Sequence, residues 1–441
     1  MVSTLSDPEA RAPARRQPRV RAMLLAGRTD FGVWIVVGSL LLMFVGVGVG
    51  YYGLGVFIPE LETGLGWSST LVGLATGVYF SVSGLTSWLV GPYIDRRGPL
   101  GVMTAGVVLL GVGIMLLGQV SRQWHLFAVY GVMAVGFGCA ASVGVNSILS
   151  RWFITRRARA MSVVFTGVSL GGVVLAPLIS WMLDTRGLGE TGLWLGLLIL
   201  AVGLPVVRWL LVWDPADVGA EPDYGEPLET DNDSLDEAVQ RRVWTRREAM
   251  ATVPFWAILV AYVLILTAQT GFLIQQFNFL SERFDDERAA SFTLSVAATG
   301  SIIARLVVGR FADYIDKRLF TVGLFAVQAT AVLVITFVET TWLTWLMVLV
   351  IGFTIGNVYM MQTLLVSEIY GMVSLGAVLG ATSLATQTAS GFGPFAVGWL
   401  RDVTDGFTVP FVATATASYV AAAVILLVRP PREPASAELR S

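Results

Sequence analysis

The sequence predicts an all-α membrane protein of twelve transmembrane helices in two six-helix bundles. Three observations carry that expectation: uncharged apolar runs of bilayer length recur along the chain, one acidic stretch divides it near the middle, and basic residues gather on alternating loops. Composition agrees, because 55% hydrophobic against 14% charged side chains is too apolar for a soluble chain of 441 residues. The 47 glycines lie largely inside apolar runs, where small residues let neighbouring helices approach closely.

A bilayer core of about 30 Å takes about 20 apolar residues per helix. Residues 1–30, rich in Arg, Ala and Pro, read as a cytoplasmic tail, since the apolar run after them is too long for a cleaved signal segment. The first bundle, 31–213, then holds spans at 31–58, 69–94, 100–120, 125–149, 161–183 and 192–213. The stretch 214–252 carries Asp, Glu, Pro and Gly and then four arginines. It cannot build a core and is expected to be a flexible or marginally helical cytoplasmic linker. The second bundle, 253–428, holds spans at 253–281, 289–309, 319–338, 341–367, 375–399 and 409–428, with 429–441 as a second cytoplasmic tail. Lipid offers no partner for backbone groups, so each run must be helical, and continuous apolarity does not fit the alternation of a barrel.

Orientation follows from the loops. With both termini in the cytoplasm, that side holds 23 of the 29 Lys and Arg. Arg122, Arg186, Arg283, Arg288 and Arg401 fall outside, and Arg305 lies within a span. The expectation is a monomeric, multi-pass protein of the cell (inner) membrane, in contact with the lipid bilayer. A net charge of -2 gives no argument for nucleic acid. The one cysteine, Cys139, sits in an apolar stretch and reads as core packing, so neither an intrachain disulfide nor a thiol metal cluster can form. One histidine, His125 at the start of the fourth span, and no carboxylate in any span argue against a membrane-embedded enzyme. No phosphate-binding Gly-x-x-x-x-Gly-Lys-Ser/Thr loop is present, and no cofactor or metal is expected.

The two halves repeat a loop signal, as in folds built from two parallel repeats. Between the second and third spans stands GPYIDRRGPLGVM, and between the eighth and ninth GRFADYIDKRLF. Asp95 and Asp313 thus lie at matching places, beside Arg96 and Arg97 in the first case. A carboxylate there can pair with arginines or helix ends across the interface between the halves and close the cytoplasmic side. Arg156 and Arg157, at the start of the fifth span, belong to the same expected gate.

The first of these loops resembles the signature of the major facilitator superfamily, Gly-x-x-x-Asp-(Arg)-x-Gly-(Arg), at Gly91, Asp95, Arg96 and Gly98, with Pro99 and Leu100 in place of the usual second basic cluster. The segment WFITRRARAMSVVFTGVSLGG is similar to a signature of the monocarboxylate transporter family, through Trp152, Phe153, Arg156, Arg157, Ala160, Ser162, Thr166, Gly167 and Gly171. DFGVW, with Asp30, Gly32 and Trp34, is a looser match to that family's start of helix 1. Residues 367–407 also resemble this family and its bacterial oxalate- and formate-exchanging relatives. The resemblance implies the major facilitator fold, transport by alternating access and a substrate-binding arginine in helix 8.

Arg305 is the residue at that place. No Asp, Glu or Lys lies in any predicted span, and the other intramembrane arginine, Arg208, is near enough to a helix end to snorkel to the headgroups. Ala298, Ser301, Ile302 and Gly309 share the face of Arg305 at helical spacing, a small-residue stripe suited to a central cavity. A cation at membrane depth costs a few kcal/mol without a counter-ion, and a guanidinium fork holds a carboxylate by two hydrogen bonds. The expected counter-ion is therefore the substrate, a small carboxylate. Proximity to the cytoplasmic end leaves open a pairing with Asp313 instead.

Against the family pattern, Ser301 stands where animal members carry an Asp, Tyr52 where they carry a helix-1 Lys, and Thr386, Gln387 and Thr388 where dicarboxylate exchangers carry a Lys. One buried cation suits one carboxylate, hence a monocarboxylate. Further wall candidates are polar groups at mid-depth: Tyr52 and Gln387 first, then Tyr51, Gln276, Asn278, Asn357, Tyr359 and Gln362, with Asn146 and Thr166 after them. For each, bonding between helices is an equal reading. A proton can travel on the substrate or through Glu60, Asp95, Asp313 or Glu368, and symport, exchange and uniport all stay open. So do two rivals, an exporter of drugs or neutral solutes and a receptor-like relative without flux.

Overall fold

The computed structural model describes residues 31–140, 142–218, 220, 222, 244–284, 287–371 and 374–429. The predicted N-terminal tail, the middle of the linker and most of the C-terminal tail lie outside the described residues.

In the first half, α1 runs Phe31–Val47, passes through a π-helical turn at Gly48–Tyr52 and resumes over Gly53–Pro59. Next come α2 (Ser69–Arg97) and α3 (Leu100–Leu117), then α4 as Gln123–Ala140 continued by Ser142–Trp152. α5 starts as Arg157–Leu170, widens into a π-helical turn at Gly171–Leu175 and enters the stretch Ala176–Pro205. Gly187, at φ 72°, breaks that stretch, and the part beyond it is α6, which ends in a wide turn at Val206–Leu210. The second half holds α7 (Val253–Phe284), α8 (Glu287–Phe311), α9 (Lys317–Phe337), α10 (Thr341–Tyr370), α11 (Leu375–Thr404) and α12 (Thr408–Ile425). Eight helical stretches among the described residues are long and apolar enough to cross a membrane, and one of them, Arg157–Leu210, contains both α5 and α6.

Several helices outrun the apolar runs that mark them in the sequence. α10 reaches Tyr370 and α11 reaches Thr404, because a helix need not stop where hydrocarbon does. The end of the linker is docked. Trp244 is buried with its ring 5.4 Å from that of Tyr370, and its backbone N–H donates to Ser374 Oγ at 2.6 Å. Thr245 and Glu248 then form a capping box that starts the short helix Arg246–Met250. One aromatic anchor and one cap are enough to dock a segment whose composition alone reads as flexible or marginally helical.

The halves meet along two seams. In the first, α2 lies against α11 at backbone contact: a methyl on Gly91 would overlap the Gly376 carbonyl, and one on Gly84 would lie 2.7 Å from the Leu384 Cα. In the second, α5 lies against α8, where Gly309 faces Ser162. α1 crosses α5 at Gly48 and Gly171, so their two π-helical turns stand side by side.

Candidate functional site

Between the halves lies a cavity walled by side chains from both of them. α1 supplies Met43, Val47, Tyr51 and Tyr52 to its wall, the last two from the π-helical turn. That turn widens the helix where it meets α5, a distortion that recurs at functional sites. The Tyr52 ring rests on Gly172, where an added Cβ would sit 3.1 Å away. Tyr359 and Gln362 come from α10, and Ser383, Thr386 and Gln387 from α11. The Tyr359 hydroxyl pairs with Ser390 Oγ at 3.1 Å.

Arg305 enters the same cavity from α8 and is 2% exposed. Its Nε donates to the Gly356 carbonyl of α10 at 2.6 Å, and its Nη1 donates to Ser169 Oγ of α5. Ser169 Oγ in turn pairs with Ser301 Oγ at 3.0 Å. Both acceptors of the guanidinium are neutral, Nη2 makes no hydrogen bond among the described residues, and none of the described wall residues is Asp or Glu. Asp313 is engaged elsewhere, so the alternative pairing is absent from this arrangement. The small-residue stripe has a different role from the one expected: Ser301 and Gly309 pack on α5 rather than lining the cavity.

The remaining wall candidates separate into two groups. Tyr51, Tyr52, Tyr359, Gln362 and Gln387 line the cavity with Arg305. Gln276 does not; it is fully buried and donates to Thr293 Oγ1 at 3.1 Å. Asn357 donates to the Phe353 carbonyl of its own helix, and Thr166 to the Ser162 carbonyl of its own. Asn146 donates to Thr363 Oγ1 at 3.2 Å, tying α4 to α10. Two of the four thus bond a neighbouring helix and two their own backbone, and none lines the cavity, because the rotation of each helix about its axis is invisible in composition. Asn278 lies on α7, but its side chain is outside the described residues. Sequence reasoning missed Ser169, Gln269 and Thr270. Gln269 stands two turns before Gln276, at the same depth rule, so the polar-at-mid-depth signal covered it.

At one end of the bundle the halves are joined by carboxylates on helix N-termini. Asp95 accepts from the backbone N–H groups of Gly376 (3.0 Å) and Ala377 (2.6 Å), at the start of α11. Asp313 accepts from Ala158 (2.8 Å) and Arg159 (3.4 Å), at the start of α5. Each carboxylate satisfies orphan donors and meets the positive end of a helix dipole in the opposite half. Arg157 Nη1 adds a bond to Ser367 Oγ at 2.8 Å. Arg96 and Arg97 are exposed, the latter over the Tyr93 ring of its own helix, so the seam rests on Asp95. Burial pushes the Asp95 carboxyl up to about 6, against the pull of those two N–H groups and the nearby charges of Arg151 and Arg246. Burial raises Asp313 likewise.

Two helical halves enclosing a central cavity, joined by paired carboxylates at helix ends, define a membrane transporter of the two-repeat kind. A family model of the Major Facilitator Superfamily matches residues 40–394, and the chain belongs to that superfamily. It is a multi-pass secondary transporter and not an enzyme. It is 25% identical over 384 residues to monocarboxylate transporter 13 of Rattus norvegicus, covering 85% of this chain and 84% of that one. The oxalate:formate antiporter of Oxalobacter formigenes is 27% identical over 176 residues, 39% of this chain and 37% of its own. The fold is shared with the crystal structure of the human organic anion transporter MFSD10, at a TM-score of 0.66 and 14% identity over 93% of this chain and all of that one.

Proposed function

We propose that the protein carries small monocarboxylates across the membrane by alternating access, with the substrate carboxylate bound to Arg305. The observation that carries this reading is a buried guanidinium facing the cavity with only neutral acceptors around it among the described residues. A bound carboxylate supplies the missing charge and takes two hydrogen bonds from the planar fork. Tyr52 and Gln387 stand in the same wall and orient the rest of the molecule, while Val47, Phe137, Phe165 and Leu273 suit a short hydrocarbon part. Relatedness to monocarboxylate transporters over most of the chain supports the substrate class. Loss of the Asp95 and Asp313 contacts opens the cytoplasmic side, and the excess of basic residues on alternating loops supports an orientation with both termini in the cytoplasm.

Uptake of labelled C2 to C6 carboxylates into proteoliposomes tests the reading. Arg305→Ala is expected to lower kcat/KM at least about 30-fold, the loss that follows removal of one member of a buried charge pair. Arg305→Lys, which keeps the charge but loses the fork, recovers part of it. Full anion uptake by Arg305→Ala, or uptake of neutral solutes alone, would sink the proposal. Imposing and removing a pH gradient separates proton symport from exchange.

A further inference from the structure

A second concavity lies away from the central cavity, at the start of α5. Its wall is Val36 of α1, Phe153 of the connection before α5, and Arg156, Arg159, Ala160 and Val163. The four last residues fall at i, i+3, i+4 and i+7, so one face of α5 runs from two guanidinium groups at its first turn down to apolar side chains. Phe153 forms the floor: its ring lies 3.3 Å from where a Cβ on Gly32 would be. On the same first turns of α1, Val33, Trp34 and Val37 are exposed. Exposed aliphatic groups beside a Trp are what a helix presents where hydrocarbon gives way to headgroups.

Electrostatics gives this groove a sign. Arg156 and Arg159 sit at the positive end of the α5 dipole, where cations are unfavourable. Asp313 meets the backbone N–H groups there and not the Arg159 side chain, whose guanidinium makes no hydrogen bond or ion pair among the described residues. An apolar groove that opens beside lipid-facing residues and ends in guanidinium groups fits one occupant: a lipid with its acyl chain against Val36 and Val163 and an anionic headgroup at Arg159.

We infer that the groove between α1 and α5 binds an anionic phospholipid, with Arg156 and Arg159 on its phosphate. The lipid offsets the charge of Arg159 at the helix end and braces α5 at the turn that holds Asp313.

Native mass spectrometry of the full-length protein in detergent, titrated with phosphatidylglycerol or phosphatidylcholine, tests this. The wild type is expected to retain one tightly bound phosphatidylglycerol that phosphatidylcholine does not displace. Arg159→Gln weakens it about fivefold, the share of one basic side chain near an anionic headgroup. Val163→Trp keeps every charge but fills the groove, and abolishes that tight binding; Val36→Phe does the same from the opposite wall, should Val163→Trp fail to fold. Inorganic phosphate is expected to compete only weakly, because it has no chain to fill the groove. Unchanged phosphatidylglycerol binding in either folded groove-filling variant, or full displacement by inorganic phosphate, would reduce the site to a diffuse basic patch and overturn the inference.

Discussion

Arg305 is held by two hydrogen bonds to groups on two other helices, and that sets how its charge can be used. The Gly356 carbonyl fixes Nε and the Ser169 hydroxyl fixes Nη1, so the guanidinium plane is oriented ahead of the carboxylate binding proposed above. Such preorganisation lowers the cost of binding. Ser169→Ala removes one neutral acceptor while leaving the charge, and is expected to lower kcat/KM about threefold to tenfold in carboxylate uptake. Arg283 shows the contrasting use of the same side chain. It donates to the carbonyls of Ile335, Thr336 and Val338 at the end of α9 and lies 4.6 Å from the centre of the Phe279 ring. Those carbonyls have no partner within their own helix. Arg283→Met, which keeps bulk but removes the donors, is expected to destabilise the protein by about 1–3 kcal/mol, read as a lower Tm in detergent with substrate KM unchanged.

Among the elements, α2 and α11 depend on glycine for their approach. A Cβ at Gly91 collides with backbone and not with a movable side-chain tip, so the helices would have to separate. Gly91→Ala is expected to disfavour the closed seam and to lower transport about tenfold, the range of an overpacked contact; an equal loss of Tm would instead point to general misfolding. The π-helical turns of α1 and α5 act at the same scale. Each accommodates an extra residue where the helices cross at Gly48 and Gly171, and the one in α1 brings both Tyr51 and Tyr52 to the cavity wall.

Across the whole molecule, the two carboxylate-to-helix contacts relate the halves to one another, and their response to acid has a definite sign. Burial in the closed arrangement raises the Asp95 carboxyl to about 6, whereas a carboxyl returned to water by opening titrates near 4. The closed form therefore holds the proton more tightly between these values, and lowering the pH from 7 to 5 shifts the population towards it. Asp313, raised in the same direction, adds to the effect. Ser367, buried beside Arg157 at this seam, is a reporter: with Cys139→Ser as background, thiol labelling at Ser367→Cys is expected to slow on acidification more than at an exposed control position. In Asp95→Asn the extra slowing shrinks. Labelling that rises at low pH would reverse the assignment.

The sequence by itself determined that the chain crosses the membrane many times and that its two halves carry paired aspartates at matching places. Those properties are local: hydrocarbon length, backbone satisfaction and a repeated motif are all written in consecutive residues. Arg305 was legible for the same reason, as an unneutralised charge in an apolar run. Tertiary structure alone decided which polar groups share its cavity. Tyr359 and Gln362 reach the wall while Asn357, on the same helix, bonds its own backbone, because facing depends on how each helix is rotated and distorted by its neighbours. Ser169 became a partner of Arg305 only because small residues let α5 and α8 pack so closely, a contact between positions 136 residues apart that no local pattern encodes.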